Sequence, residues 1–323
     1  MRAAHITDLT GPQAIAVAEV APPVLGPAQI LVDVQAAGVT FPDLLMSRGE
    51  YQLKPPVPFI PGCEVAGTVS ECPSDSNWQV GDRVAAFTML NGYAQQAAVN
   101  PDWAVRLPDA MSFEQGCALP MNYLTMDFAL ARRGRIKPGD IVLIHGAAGG
   151  IGTAGIQLAK SHGAKVIAVA STEEKRDVAI AAGADHAIDV DGFLLAVKEL
   201  TGGRGVDIVV DPVGGDRFTD SLRSLAPEGR VLVIGFTAGE IPTVKVNRLL
   251  LNNIDIIGVA WGSFAFTDPA YIGTQWREIE KLLELGVIDP PLGRSYPLAN
   301  AAEAVSELAR RTATGKVLLA VNR

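Results

Sequence analysis

The sequence is short of cysteine, aromatic residues and charge. Its three cysteines, Cys63, Cys72 and Cys117, are an odd number, and none forms a C-x-x-C pair. That excludes a disulfide framework and suits a reducing compartment, so a cytoplasmic protein is expected. Charged residues make up 19% and apolar residues 48% of 323, a balance that allows a large core and argues against wholesale disorder. The formal net charge of −8 lacks the basic excess of a general nucleic-acid binder. No apolar run reaches the ~18 residues that suggest a membrane span. The opening M-R-A-A-H-I-T has no long apolar stretch behind it, so no signal peptide is expected. His5, His145, His162 and His186 are scattered among different segments, and no Ser-His-Asp set is expected.

Against these shortages stands one rich stretch, Asp140 to Lys160: D-I-V-L-I-H-G-A-A-G-G-I-G-T-A-G-I-Q-L-A-K. Ile141 to Ile144 has the length and β-branching of a buried parallel strand. A glycine-rich turn, Gly146 to Gly152, leads into a helical pattern with Ile151, Ile156, Leu158 and Ala159 available to face a sheet. Strand, glycine turn and helix form the context of a dinucleotide site. Gly149 and Gly152 hold the second and third places of G-x-G-x-x-G, and Ala147 replaces the first glycine. The second glycine lets the backbone approach a pyrophosphate, and the third lets the helix pack close to the strand. Ala148, Gly149, Gly150, Ile151 and Gly152 are therefore the candidate phosphate cradle, at a helix start whose N–H groups face the ligand. A bare tight connection is the competing reading.

The next residues favour the cradle. Lys165 to Ala170 reads as a second buried strand at β-α-β distance. At its end, where an NAD site carries Asp or Glu, stand Ala170 and Ser171, with Lys175 and Arg176 just beyond. That favours a ribose 2′-phosphate and hence NADPH, with Ser171 and Lys175 as candidate contacts. Glu173 and Glu174 count against it, although Ser171 and Glu174 have the spacing of a capping box.

The N-terminal part reads as short strands at 28–37, 65–69, 79–87 and 92–99, with prolines at 55, 56, 58 and 61 forbidding long helix there. Helix is expected from Ser112 onward and over 121–132. Beyond residue 170 strand and helix alternate: helix 175–182, strand 186–190, helix 193–200, strand 206–210, helix 217–225, strand 230–236, helix 247–251 and strand 254–260. Such alternation implies a doubly wound parallel sheet. Gly235, Phe236 and Thr237 are expected to end a strand, where ligands sit in such sheets. Helices at 276–285 and 301–311 and a strand at 316–321 follow. The expected organisation is α/β, a β-rich domain over 1–120 completed by 261–323, with a nucleotide domain inserted over 121–260.

A set of motifs spans the chain: A-A-G-V-T-F-P-D (36–43), R-G-E-Y (48–51), P-G-C-E-V-A-G-T-V (61–69), G-D-R-V (81–84), G-Y-A (92–94), N-Y-L-T (122–125), H-G-A-A-G-G-I-G (145–152), G-A-D-H (183–186) and T-G-K-V (314–317). Together they resemble the zinc-independent quinone oxidoreductases, the ζ-crystallin type, of the medium-chain dehydrogenase/reductase superfamily. The resemblance implies a GroES-like β-rich domain plus a doubly wound parallel-sheet Rossmann domain, with the nicotinamide in the cleft between them. In zinc-holding relatives the catalytic ligands would fall at Thr40, Cys63 and near Met121, and only Cys63 binds zinc strongly. Val84 to Val99, where a structural-zinc lobe would lie, has no cysteine, so no metal is expected. Cys63 is expected to be a buried small residue.

The implied activity is NADPH-dependent hydride transfer to a small-molecule quinone or other activated enone. Reduction of a 2-enoyl thioester and a non-catalytic, crystallin-like NADPH-binding role are the alternatives. Tyr51 matches a family tyrosine, and its phenol is a candidate proton or hydrogen-bond donor; a rim residue shaping the pocket is the competing reading. Thr40 stands where quinone oxidoreductases often carry asparagine, and its hydroxyl has one hydrogen bond to donate. Asp43 is expected to bond local backbone N–H groups. Thr125 matches a residue near the nicotinamide in relatives, with Asn122 and Tyr123 before it; helix capping and packing compete for all three. A tyrosine packing near the cofactor in relatives would fall around Val190. The apolar strand 254–260 near the sheet's end invites pairing with a second copy, and the resemblance implies a homodimer. No membrane or nucleic-acid partner is expected.

Overall fold

The computed structural model describes residues 1–268 and 270–322. The chain divides into two compact units. One comprises Met1–Met121, Pro269–Trp276 and Leu292–Arg323; the other comprises Asn122–Asp268 and Arg277–Pro291. In chain order the first unit begins with β1 (Arg2–Ile6), β2 (Ile15–Glu19), β3 (Ile30–Gly38), α1 (Phe41–Ser47), β4 (Glu64–Glu71), β5 (Arg83–Phe87), β6 (Gln96–Val99), β7 (Ala104–Arg106) and α2 (Phe113–Cys117). There follow α3 (Pro120–Asp127), β8 (Ile141–His145), α4 (Gly150–Ser161), β9 (Lys165–Val169), α5 (Glu173–Ala181), β10 (His186–Ile188) and α6 (Phe193–Leu200). Then come β11 (Val206–Asp211), α7 (Phe218–Arg223), β12 (Leu225–Val233), α8 (Asn247–Asn252), β13 (Asp255–Gly258), α9 (Trp261–Thr267) and α10 (Ala270–Glu284). The chain closes with β14 (Leu292–Pro297), α11 (Ala301–Ala309) and β15 (Lys316–Ala320).

The first unit is a β-rich fold. Its main sheet runs β14-β15-β3-β4-β5-β7, with β6 also paired to β3. Residues of β3 alternate between buried Ile30, Val32 and Val34 and half-buried Leu31, Asp33 and Gln35, the period-2 pattern of a strand with one face in a core. The separate antiparallel pair β1-β2 was not anticipated, because its Ala-rich alternation carries little hydrophobic contrast. Helix α1 was also unforeseen. It is only seven residues long, opens with Pro42 in its first turn, and starts where the Asp43 carboxylate accepts the Thr40 N–H at 2.8 Å.

One buried ion pair ties three segments of this unit together. Glu64 opens β4 and is fully buried, and its carboxylate meets the ammonium of Lys316, which opens β15. The other carboxylate oxygen accepts the N–H of Met121 at 2.7 Å. A Cβ on Gly38, at the end of β3, would fall 2.7 Å from Glu64 Cδ, so glycine makes room for the pair.

The second unit holds a six-stranded parallel sheet in the order β10-β9-β8-β11-β12-β13. Leu143, Ile167, Val169, Val209 and Val231 from its strands pack with Phe193, Val197, Phe218 and Leu222 from α6 and α7. Each such burial stabilises the fold by about 1.5–3 kcal/mol. Residues 261–268 and 277–291 group with this unit. Phe264 stacks on Phe128 at 5.1 Å between centroids, and the Gln157 amide donates to Asp289 O at 2.7 Å.

Two expectations need correcting here. The strand expected at 230–236 runs from Leu225 to Val233, and the preceding helix stops at Arg223. Glu228, with φ 62°, and Gly229 make an irregularity inside the strand, where the sequence suggests its start. Gly235, Phe236 and Thr237 therefore follow the strand and do not end it. The expected capping box from Ser171 to Glu174 is also not formed. Thr172 is the cap of α5, and its hydroxyl accepts the Lys175 N–H at 3.2 Å.

Replacing Lys316 with methionine would leave Glu64 charged, buried and unpaired. The expected loss at neutral pH is about 3–5 kcal/mol in urea denaturation. Burial raises the Glu64 pKa above its ordinary value, so the folded variant binds a proton more tightly than the unfolded chain. Part of the lost stability should therefore return as pH falls from neutrality toward the ordinary glutamate range.

Candidate functional site

The sharpest geometry lies at the turn between β8 and α4. Gly146 adopts φ 60°, a left-handed conformation that reverses the chain after the strand. A Cβ on Gly152 would lie 2.5 Å from Ala147 Cα and as close to the Gly146 carbonyl, so the helix rests directly on the backbone of the turn. A Cβ on Gly149 would meet no described atom nearer than 3.6 Å. The third motif position thus serves packing, and the second faces open space, as an approaching pyrophosphate requires. Gly149 is the N-cap of α4 and has no side chain to cap it. The opening N–H groups of the helix, beyond the reach of carbonyls within it, are left for a ligand.

Helix α3 brings a polar side chain to this turn. A Cβ on Gly150 would collide with the Asn122 amide, so Asn122 sits directly over Gly150. Thr125 lies one turn further along, and both side chains are buried. Tyr123 instead points inward, where its hydroxyl donates to Gln157 Oε1 at 2.7 Å, a packing role. At the end of β9, Ser171 is exposed and precedes the Thr172 cap. Arg176 is already engaged: its guanidinium reaches Asp189 at 2.5 Å and Ala170 O at 3.3 Å. Lys175 stands in the first turn of α5. After β12, the Thr237 N–H donates to Pro212 O at 3.0 Å, and Phe236 packs over Gly214. These contacts set residues 235–237 at the C-terminal edge of the sheet, the edge that carries the glycine turn. Val190 packs against the sheet core.

At the same edge the fold assembles a group not foreseen from the sequence. Ser221 Oγ lies 2.9 Å from His145 Nε2, and the charge of Asp211 acts on the same imidazole. The three are 0%, 0% and 1% exposed, so no substrate reaches them. Burial lowers the His145 pKa to about 4, and the imidazole is neutral. The group is an internal polar network. No periodicity reveals it, since its members come from β8, α7 and β11.

In the first unit a second cluster surrounds Asp43. This fully buried carboxylate accepts four hydrogen bonds: from Thr40 N at 2.8 Å, Thr40 Oγ1 at 2.5 Å, Gly62 N at 2.9 Å and Tyr93 Oη at 3.0 Å. Burial raises its pKa, and the four donors act in the opposite sense. The Thr40 hydroxyl proton is thereby spent on Asp43, so the bond Thr40 was expected to offer a substrate is not available. The threonine presents lone pairs only. Cys63 Sγ lies 3.7 Å from the same oxygen, and burial holds its thiol protonated, well above the usual thiol range. Tyr51 is half-buried beside this cluster. Burial first, then the charges of Cys63 and Asp43, push its phenol up to about 12. The Tyr51 phenol keeps its proton at neutral pH.

These two structures, a GroES-like β unit and a Rossmann-type parallel sheet with a glycine turn, define the class of medium-chain dehydrogenases and reductases. Comparison with known proteins agrees. Residues 26–109 match the family described as alcohol dehydrogenase GroES-like domain, and residues 150–284 match that described as zinc-binding dehydrogenase. The chain is 40% identical to rat (Rattus norvegicus) quinone oxidoreductase-like protein 2, over 99% of this chain and 92% of that protein. A probable oxidoreductase from Mycobacterium abscessus superposes with a TM-score of 0.90 at 45% identity, covering 99% of this chain and 98% of that one. Escherichia coli quinone oxidoreductase, solved in complex with NADPH, superposes with a TM-score of 0.90 at 30% identity over 99% and 100%. The chain belongs to the quinone oxidoreductase family of the medium-chain dehydrogenase/reductase superfamily.

The zinc in one of those descriptions does not fit the residues present. Cys63 Sγ meets the Thr40 hydroxyl, Asp43 is spent on four donors, and Glu64 on Lys316 and Met121. Among the described residues no group of three His, Cys, Asp or Glu side chains could hold a metal ion. No helix among them is long and apolar enough to cross a membrane.

The glycine positions predict opposite responses to the same methyl group. Gly152→Ala drives a Cβ into immovable backbone and should cost about 3 kcal/mol, the upper range for overpacking. Gly149→Ala, at φ −85°, should cost under about 1 kcal/mol. Thermal melting of the two variants checks the contrast.

Proposed function

We propose that this protein is an NADPH-dependent reductase that delivers hydride to a quinone or another activated enone without a metal. The observation that carries this reading is the open backbone face at Gly149 opposed to the packed one at Gly152, a cradle shaped for a pyrophosphate. Ala148 to Gly152 would hold the pyrophosphate with backbone N–H groups, and Ser171 and Lys175 the 2′-phosphate. Asn122, Thr125 and residues 235–237 would flank the rest. Bound there, NADPH would supply the hydride. An electron-poor acceptor needs no Lewis acid for that step, which suits a donor set unable to hold zinc.

The reduced acceptor carries a negative oxygen, and Tyr51 is the residue this reading assigns to meet it. With its pKa near 12, the phenol stays protonated and donates a hydrogen bond. Full proton transfer favours a base stronger than phenolate, such as an enolate, over a hydroquinone anion. Water then restores the phenol. Burial first, with the charge of Asp43 added, keeps both Tyr51 and Cys63 protonated, and Asp43 positions Thr40. A neutral buried thiol is a poor nucleophile toward a quinone or enone.

An open sheet edge supports reading the protein as a homodimer. Strand β13 pairs on one side only, with β12. Nearby, Ile241, Val246, Leu250 and Leu251 are more than 70% exposed. An open edge beside apolar side chains favours pairing with a second copy.

Two measurements test these readings. NADPH oxidation should proceed with 1,4-benzoquinone, with crotonyl-CoA as the thioester control. Tyr51→Phe should lower kcat by about tenfold or more, and by more with an enone than with a quinone. An unchanged rate with both would make Tyr51 a wall residue; tight NADPH binding without turnover would favour the crystallin-like role. Light scattering should give the mass of two chains, and Leu250→Glu with Leu251→Glu should shift it to one.

A further inference from the structure

We propose that a second pocket, at the edge of the parallel sheet opposite the glycine turn, binds a compact organic phosphate. The cavity has a volume of about 270 Å³. Lys198, Arg223, Arg248 and Asn252 line it. Leu222, Leu225 and Ile254 supply apolar surface. Leu225 opens β12 and Ile254 immediately precedes β13, so the pocket lies at the N-terminal ends of the strands. The glycine turn follows the C-terminal end of β8 in the same parallel sheet.

Cations at helix ends often serve the helix itself. Lys198 and Arg223 stand in the last turns of α6 and α7, where positive charge complements the macrodipole. Here, however, several carbonyls of the last turns are already bonded. Val197 O accepts from Thr201 N, Lys198 O from Gly203 N and Glu199 O from Gly202 N. Ser224 donates its N–H to Asp220 O and its hydroxyl to Ser221 O. In α8, Arg248 O accepts from the Asn252 amide and Leu249 O from Ile254 N. Those carbonyls do not need Lys198 or Arg223, and Arg248 stands in the first turn of α8, away from any C-terminal cap position. Arg223 shares an exposed ion pair with Asp220 at 2.9 Å, which takes one nitrogen of its guanidinium. Lys198 and Arg248 have no acidic partner among the described residues.

Three cations therefore converge on one concavity in a chain of net charge −8. A cleft lined by one sign of charge concentrates the opposite ion. Two guanidinium forks match phosphate oxygens in geometry as well as charge. The apolar floor favours a ligand with a carbon body over the bare ion. The volume is below the ~300–1,000 Å³ of drug-sized sites and suits a small phosphorylated metabolite.

Titration calorimetry with phenyl phosphate and with inorganic phosphate tests this site. Wild type should bind phenyl phosphate, and inorganic phosphate more weakly. Gly149→Val, which obstructs the cradle at the other edge, should bind phenyl phosphate as wild type does. The double variant Lys198→Ala with Arg248→Ala should bind it about tenfold more weakly or worse, at an unchanged melting temperature, since charge-assisted bonds are lost. Absence of binding to wild type, equal affinity in the double variant, loss in Gly149→Val, or equal affinity for the two phosphates would overturn the proposal.

Discussion

The second unit depends on one contact of backbone against backbone, Gly152 on the Gly146–Ala147 turn. It sets how deeply α4 enters the sheet. With that depth fixed, buried Ile156 and Leu158 pack inward, and the start of the helix comes level with the end of β8. A side chain at Gly152 would lift the helix and disperse its opening N–H groups. The open face at Gly149 has value only because this contact holds the turn rigid.

The first unit is organised by charge placed inside it. Two carboxylates, Asp43 and Glu64, are fully buried and are satisfied in different ways. Glu64 takes a cation, Lys316, and so ties β4 to β15. Asp43 takes four neutral donors and no cation, so its charge remains felt around it. That residual field, added to burial, keeps the protons on Cys63 and Tyr51. Around Thr40 and Cys63 the arrangement thus favours neutral, proton-bearing groups.

The parallel sheet presents different chemistry at its two edges. The C-terminal edge gathers backbone donors and an internal, neutral His145. The N-terminal edge gathers Lys198, Arg223 and Arg248 over apolar residues. The difference follows from topology: in an all-parallel sheet every helix start lies at one edge and every helix end at the other. Lys198 and Arg223, in the last turns of α6 and α7, therefore fall on the same side, where Arg248 from the first turn of α8 joins them.

The sequence alone determined the alternation of strand and helix from residue 141 to 258. Apolar period and glycine placement are local properties, and Gly149 and Gly152 carry opposite roles in their spacing. It also determined that Cys63 would be buried and that Asp43 would serve backbone donors. Tertiary structure decided what depends on distant partners. Thr40 lost its free proton to Asp43, Arg176 was claimed by Asp189, and Thr172 displaced Ser171 as the cap. The start of β12 was hidden because Glu228 and Gly229 look like a turn, whereas pairing with Val206 carries the strand through them. His145 met Ser221 across 76 positions, and the three cations of the second pocket came from three helices. A hydrogen bond or an electrostatic pocket is a relation between side chains in space, and only the folded chain sets those distances.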